Sequence, residues 1–187
     1  MSWSFRSFLK AAFIIKPLFC FCGVSFMMRL YQVETLYVEY LKKFDGKILN
    51  NEKNNNTRPY IGVVFEINNF KYYVPLSSPK NKHHSWKDRL DFVRLEDGNI
   101  LIAVLNINNM IPVPPSEITE LDINNESEPY RSLLNKEYLL IKKKEAKIIK
   151  NSQNIYEKVV VKQDSHYAKI CCNFSLLEQK CLEFSKN

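Results

Sequence analysis

PYIGVVFEINNFKYYVPLSS, residues 59–78, is the stretch that decides the fold. Tyr60 to Ile67 and Lys71 to Leu76 are dominated by β-branched and aromatic residues, which suit a pleated, half-buried surface. Between them, Asn68-Asn69-Phe70 offers the chemistry of a tight reversal, so the spacing predicts an antiparallel hairpin. Pro75 and Pro79 are expected to end its second strand, because proline has no N–H to give a ladder.

The flanking pattern extends this reading. Upstream, Arg29 to Glu34 alternates as a first strand, and Thr35 is placed to cap a helix reaching Asp45, with Leu36, Tyr40, Leu41 and Phe44 on one face. Asn50 to Arg58 is polar, rich in Asn, and is expected to be a loop. Downstream, Asp91 to Leu95 and Ile100 to Asn106 flank Glu96-Asp97-Gly98-Asn99 as a second hairpin. Pro112, Pro114 and Pro115 stiffen the next connection, and Ile118 to Ile123 reads as another strand. After Pro129 the period becomes helical: Leu134, Tyr138, Ile141 and Ile148 form a stripe, and Lys142, Lys143, Lys144, Lys147 and Lys150 crowd the other faces. Asn151-Ser152 is expected to break this helix before Ile155 to Val161. Ser175 and Glu178 have capping-box spacing for a last helix that turns Leu177, Cys181 and Phe184 inward. Antiparallel strands with helices gathered late in the chain predict a single α+β domain.

A chain of 187 residues is long enough for one real core, and 45% hydrophobic with 25% charged residues is ordinary for a globular protein. Its net charge of +7 favours a polyanionic partner. Cys20, Cys22, Cys171, Cys172 and Cys181 are odd in number and lack paired zinc-ligand spacing, so they read as reduced, small apolar fillers of a cytosolic protein. Residues 1–27 carry Arg6, Lys10 and Lys16 and no acid, which imitates a signal peptide. Lys16-Pro17 interrupts the apolar stretch, however, and no small-residue cleavage site follows. The expectation is an over-extended start, with Met28 opening a domain of residues 28–187 and no stable membrane association. Export or anchoring through residues 1–27 is the competing reading.

No nucleophile elbow, zincin motif, phosphate-binding loop or zinc-ligand set occurs. The chemical segment is Ser77-Ser78-Pro79-Lys80-Asn81-Lys82-His83-His84, which leaves a strand with two hydroxyls, two lysines and two imidazoles in a proline-framed turn. Hydroxyl and backbone donors with lysine charge suit a phosphate, and a histidine there could move a proton near neutral pH.

Arg29-Leu30-Tyr31, Tyr37 to Asp45, Arg58 to Val64, Tyr73 to Lys80, Asn106 to Pro112 and Cys172 to Glu178 together resemble the ToxN/AbiQ family of type III toxin–antitoxin toxins. The resemblance covers essentially all of residues 28–187. It implies a strongly twisted antiparallel sheet with flanking helices, reminiscent of MazF/Kid-type toxins. It also implies a metal-independent endoribonuclease with no cofactor, which cuts single-stranded mRNA through the ribose 2′-hydroxyl and leaves a 2′,3′-cyclic phosphate. The implied partner is a small pseudoknot RNA antitoxin bound in a closed cyclic assembly, and the implied setting is cytoplasmic phage defence by abortive infection.

Residue by residue, Ser78 matches the family's principal active-site serine, Ser77 the hydroxyl residue before it, and Lys80 the motif lysine, suited to charge stabilisation. Tyr37 matches a tyrosine near the site. Arg58 falls where relatives can carry lysine, and it keeps the charge without readily giving up a proton. Asn54 stands where some relatives place a tyrosine, so that loop receives no catalytic role. His83 falls at a family histidine position and is expected to contact RNA or support structure. Lys82, with Lys143 and Lys147 on the late helix, are candidate RNA-backbone contacts, although a solvated helix face explains the latter two equally. The alternative to an enzyme is a non-catalytic basic RNA-binding module.

Overall fold

The structure, a computed structural model, describes residues 28–53 and 56–184. The expectations for residues 1–27, for Cys20 and Cys22, and for Asn54 lie outside the described residues.

The strands are β1 (Arg29–Val33), β2 (Glu52–Lys53), β3 (Asn56–Thr57), β4 (Pro59–Ile67), β5 (Phe70–Ser77), β6 (Phe92–Asp97), β7 (Ile100–Asn106), β8 (Ile111–Pro112) and β9 (Ile118–Glu120). Seven of them form one sheet in the order β6-β7-β5-β4-β1-β9, with β8 also paired to β5, and every pairing is antiparallel. The α+β expectation therefore holds. Asn68 (φ 50°) and Asn69 (φ 67°) both take the left-handed conformation that a two-residue reversal between β4 and β5 needs. Gly98 (φ 59°) serves the turn between β6 and β7. Gly62 has a different reason: the Tyr73 ring lies where a Cβ would stand.

Four helices flank the sheet: α1 (Thr35–Lys42), α2 (Tyr130–Tyr156), α3 (Ser165–Ile170) and α4 (Phe174–Phe184). α2 packs on β4 and β6, while α4 packs on α1 and β8. Among the described residues no helix is long and apolar enough to cross a membrane. An aromatic stack fills the seam between sheet and helices: Phe65 lies flat on Tyr72 at 4.7 Å, and Tyr156 and Phe174 meet Tyr72 edge-on. Cys171, Cys172 and Cys181 are buried thiols outside any disulfide among the described residues, and burial pushes each thiol up.

Several local expectations are corrected. β5 does not end at Pro75: it runs to Ser77, because Pro75 falls between the β8 contact at Tyr72 and Tyr73 and the β7 contact at Leu76 and Ser77. The loop over residues 50–58 contains the short β2–β3 ribbon. The strand after Ile118 stops at Glu120. Thr35 is the first residue of α1 rather than its cap, and α1 stops at Lys42. That frees the Asp45 carboxylate to accept the N–H of Asn173 at 2.7 Å, which ties the end of α1 to the start of α4. Asn151-Ser152 does not break α2. Burial of Ile148, Ile155 and Tyr156 outweighs the local preference, and the Asn151 amide donates to Arg89 O at 3.2 Å. Beyond Tyr156, Glu157–Val161 forms a π-helical turn. α4 is capped by Asn173, whose Oδ1 accepts from Leu176 N at 3.2 Å. Glu178, expected to complete a capping box, instead accepts the hydroxyls of Tyr72 and Tyr156 at 2.8 and 2.9 Å.

Candidate active site

The chemical segment begins where β5 leaves the sheet. Tyr60 faces Pro75 across the β4–β5 ladder, and continuing that register by two residues brings Arg58 beside Ser77. The Arg58 side chain is fixed at several points. Its Nε donates to Asn50 O at 2.8 Å, and its Nη1 donates to Leu76 O at 2.9 Å and to Ser77 Oγ at 2.6 Å. Asn106, at the end of β7, adds a second donor to Ser77 Oγ, from Nδ2 at 3.0 Å. Arg58 is partly buried, which lowers its pKa from the usual value. Among the described side chains no carboxylate pairs with it. A half-desolvated guanidinium without a counter-anion is an anion-binding element.

Ser78 and Lys80 follow, both exposed. The turn that presents them is pinned by His83, which is only 5% exposed. Its N–H donates to Lys80 O at 2.8 Å, and its Nδ1 accepts the Lys80 N–H at 3.1 Å. This geometry requires an unprotonated Nδ1. Burial, followed by Lys82, Lys80 and His84, lowers the imidazole pKa in agreement. The ring packs against Trp86 and Phe92 at 5.1 and 5.2 Å. The structure places His83 where it supports the turn. Lys82 lies over the Trp86 ring at 5.1 Å, and Arg89 lies over the same ring at 4.7 Å.

The loop continues to Asp88, which anchors it. Asp88 accepts the Arg94 N–H at 2.7 Å, Lys147 Nζ at 2.5 Å and Lys144 Nζ at 3.3 Å. The Arg94 guanidinium donates to Trp86 O and pairs with Glu96 at 2.7 Å.

The structure thus brings together Arg58, Ser77, Ser78 and Lys80, with Lys82 and His83 in the same turn. It does not bring Tyr37 to this group. Tyr37 is fully buried, its hydroxyl donates to Pro112 O at 2.7 Å, and its ring meets Phe184 edge-on at 5.0 Å. Burial raises its phenol far above the ordinary range. Lys147 is committed to Asp88, whereas Lys143 is exposed on α2 near Asp97. Sequence reasoning gave Asn106 and Asp88 no role, since an Asn at a strand end and an Asp in a polar loop carry no signal of their own. Their partners come from non-local pairing.

Comparison with known proteins bears on the family and the fold. The family model for Toxin ToxN, type III toxin–antitoxin system, matches residues 29–182. The endoribonuclease ToxN of Bacillus thuringiensis subsp. kurstaki is 33% identical over 166 residues, 84% of each chain. A solved structure of a type III toxin–antitoxin system, described as selective toxin inhibition by a non-coding RNA pseudoknot, superposes with a TM-score of 0.77 at 32% identity, covering 86% of this chain and 99% of that one. AbiQ, a lactococcal anti-phage endoribonuclease of a type III system, superposes at 0.73 with 31% identity over 86% and 99%.

Proposed function

This chain belongs to the ToxN toxin family of type III toxin–antitoxin systems, and from that membership we propose that it is an endoribonuclease toxin held silent by a small RNA antitoxin. The observation that carries the reading is the partly buried Arg58 guanidinium, with no carboxylate partner among the described side chains, bonded to the first hydroxyl of the Ser77-Ser78-Pro79-Lys80 turn. A phosphodiester supplies the missing negative charge, and the exposed Ser78 hydroxyl and Lys80 ammonium complete its surroundings.

In this reading the ribose 2′-oxygen attacks the neighbouring phosphorus and gives up its proton to a base. The bond to the 5′-oxygen breaks, that oxygen takes a proton, and a 2′,3′-cyclic phosphate remains. No bound metal takes part in the step. Arg58, Ser78 and Lys80 stabilise the charge growing on the phosphoryl oxygens. His83 is not the base, because Nδ1 already holds the Lys80 N–H and the neutral ring carries its proton on Nε2. The antitoxin, an RNA pseudoknot like that of the solved relative, covers the same cationic surface in a closed assembly. The reaction takes place in the cytoplasm, and the anti-phage activity of AbiQ supports a role in phage defence.

The test is to incubate the purified protein with single-stranded RNA in EDTA and analyse the new ends. Cyclic-phosphate ends are expected, and Ser78→Ala should slow cleavage by about 10²–10³ with circular dichroism and antitoxin affinity unchanged. RNA bound tightly but left intact would favour the non-catalytic RNA-binding module. A folded Ser78→Ala variant that cuts at the wild-type rate would remove Ser78 from the site.

A further inference from the structure

We infer that Asn106 is a positioning residue for the cleavage reaction, acting by fixing the Ser77 hydroxyl as an outward-facing hydrogen-bond donor. The inference rests on the ribonuclease reading above and adds to it a residue outside the turn.

A serine hydroxyl has two acceptor sites and one proton. At Ser77 both acceptor sites are filled, by Arg58 Nη1 at 2.6 Å and by Asn106 Nδ2 at 3.0 Å. Among the described residues no acceptor takes the remaining proton. A hydroxyl held in this way loses its rotational freedom, and its proton points along the one tetrahedral direction left. Ser77 is only partly buried, beside the exposed Ser78, and in this inference that direction faces a ligand acceptor rather than the core. A phosphoryl oxygen held by Arg58 is the acceptor such a donor suits, and the donor is paid for before the reaction begins.

Asn106 is the movable half of this device. Arg58 can only donate, so it holds Ser77 Oγ in either orientation of the proton. The second donor decides which way the proton faces. Asn106 can supply it because Ser77 opposes Val104 across the β5–β7 ladder. Asn106, two residues along, is therefore the diagonal neighbour on the same face. β7 ends at Asn106 and the chain turns into the short 3-10 segment Ile107–Asn109, which leaves this side chain partly open beside Ser77.

The experiment is a double-mutant cycle read by single-turnover cleavage of a short single-stranded RNA, with Ser77→Ala, Asn106→Ala and the pair. Asn106→Ala should lower the rate about 10-fold, less than loss of a direct donor, and should leave RNA affinity within about 3-fold, because Asn106 does not touch the ligand. In the Ser77→Ala background the same substitution should have no further effect on rate. Asn106→Asp guards against a folding defect. It keeps the shape, adds a charge partner for Arg58, and so should hold or raise the melting temperature. Its carboxylate accepts the Ser77 proton and turns it away, so the rate should still fall. Independent, multiplying effects of the two alanine substitutions, or a fully active Asn106→Asp protein, would overturn the inference while leaving the ribonuclease reading intact. A wild-type protein that does not cut RNA would overturn both.

Discussion

At the scale of single residues, the shape of the turn depends on a nitrogen that must stay bare. His83 Nδ1 accepts the Lys80 N–H at 3.1 Å, and a protonated imidazole cannot do so. Burial first, then the neighbouring Lys82, Lys80 and His84, holds the folded-state pKa below the ordinary histidine value of about 6.5. A histidine lowered in the folded state contributes stability above that ordinary value and loses it as pH falls through the folded pKa. Cleavage rate and melting temperature should both therefore decline on acidification below about pH 6.5. His83→Asn offers an amide oxygen where Nδ1 stood and has no proton to gain. It should flatten this acid limb and keep more activity than His83→Ala. Rates and melting temperatures of the three proteins across about pH 5 to 8 provide the check, and an unchanged acid limb in His83→Asn would assign the titration to another group.

At the scale of elements, the turn is carried by a loop clamped onto α2 by one carboxylate. Burial pushes Asp88 up, but hydrogen bonds from Lys147, the Arg94 N–H and Lys144 outweigh it and hold the group below its usual value. Asp88→Ala should cost about 1–3 kcal/mol, as loss of a charged acceptor does, measured by chemical denaturation. Because Lys147 is already committed to Asp88 at 2.5 Å, Lys147→Ala should leave the salt dependence of RNA binding nearly unchanged. Lys80→Ala should reduce the slope by about one. Equal effects of the two substitutions would place RNA on the α2 face. This clamp also marks the limit of what a sequence discloses. Residues 59–78 announced their hairpin because alternation and an Asn-Asn reversal are local signals, and Ser77, Ser78 and Lys80 were legible as a compact motif. Arg58 was legible only through its resemblance to relatives. Pro75 within a strand, Ser152 within a helix and Tyr37 in the core each contradict a local rule, because partners distant in the chain decide them. Asn106 and Asp88 were silent for the same reason.

At the scale of the whole molecule, one buried charge tunes stability. Glu137, on α2, is only 6% exposed, and burial raises its carboxyl to about 7. An acid raised in the folded state contributes fully below its ordinary value of 4.5, and that contribution is lost as pH rises through about 7. Glu137→Gln removes the titration. Its unfolding free energy, measured by chemical denaturation, should pull ahead of the wild type between about pH 4.5 and 7, with a gap on the order of 3 kcal/mol once Glu137 is ionised. A constant gap across that range would mean that the carboxyl finds compensation on ionising.

The ties that close the molecule also set a schedule for its synthesis. Asp45 waits for Asn173, 128 residues later, and Tyr72 waits for Glu178, 106 residues later. Phe184, at the far end of α4, seals the rings of Tyr37 and Tyr40. On the ribosome, the Ser77-Ser78 turn emerges long before α4, the helix that packs on α1 and β8. A nascent chain thus carries every side chain of the turn before the ties from Asp45 to Asn173 and from Tyr72 to Glu178 can form.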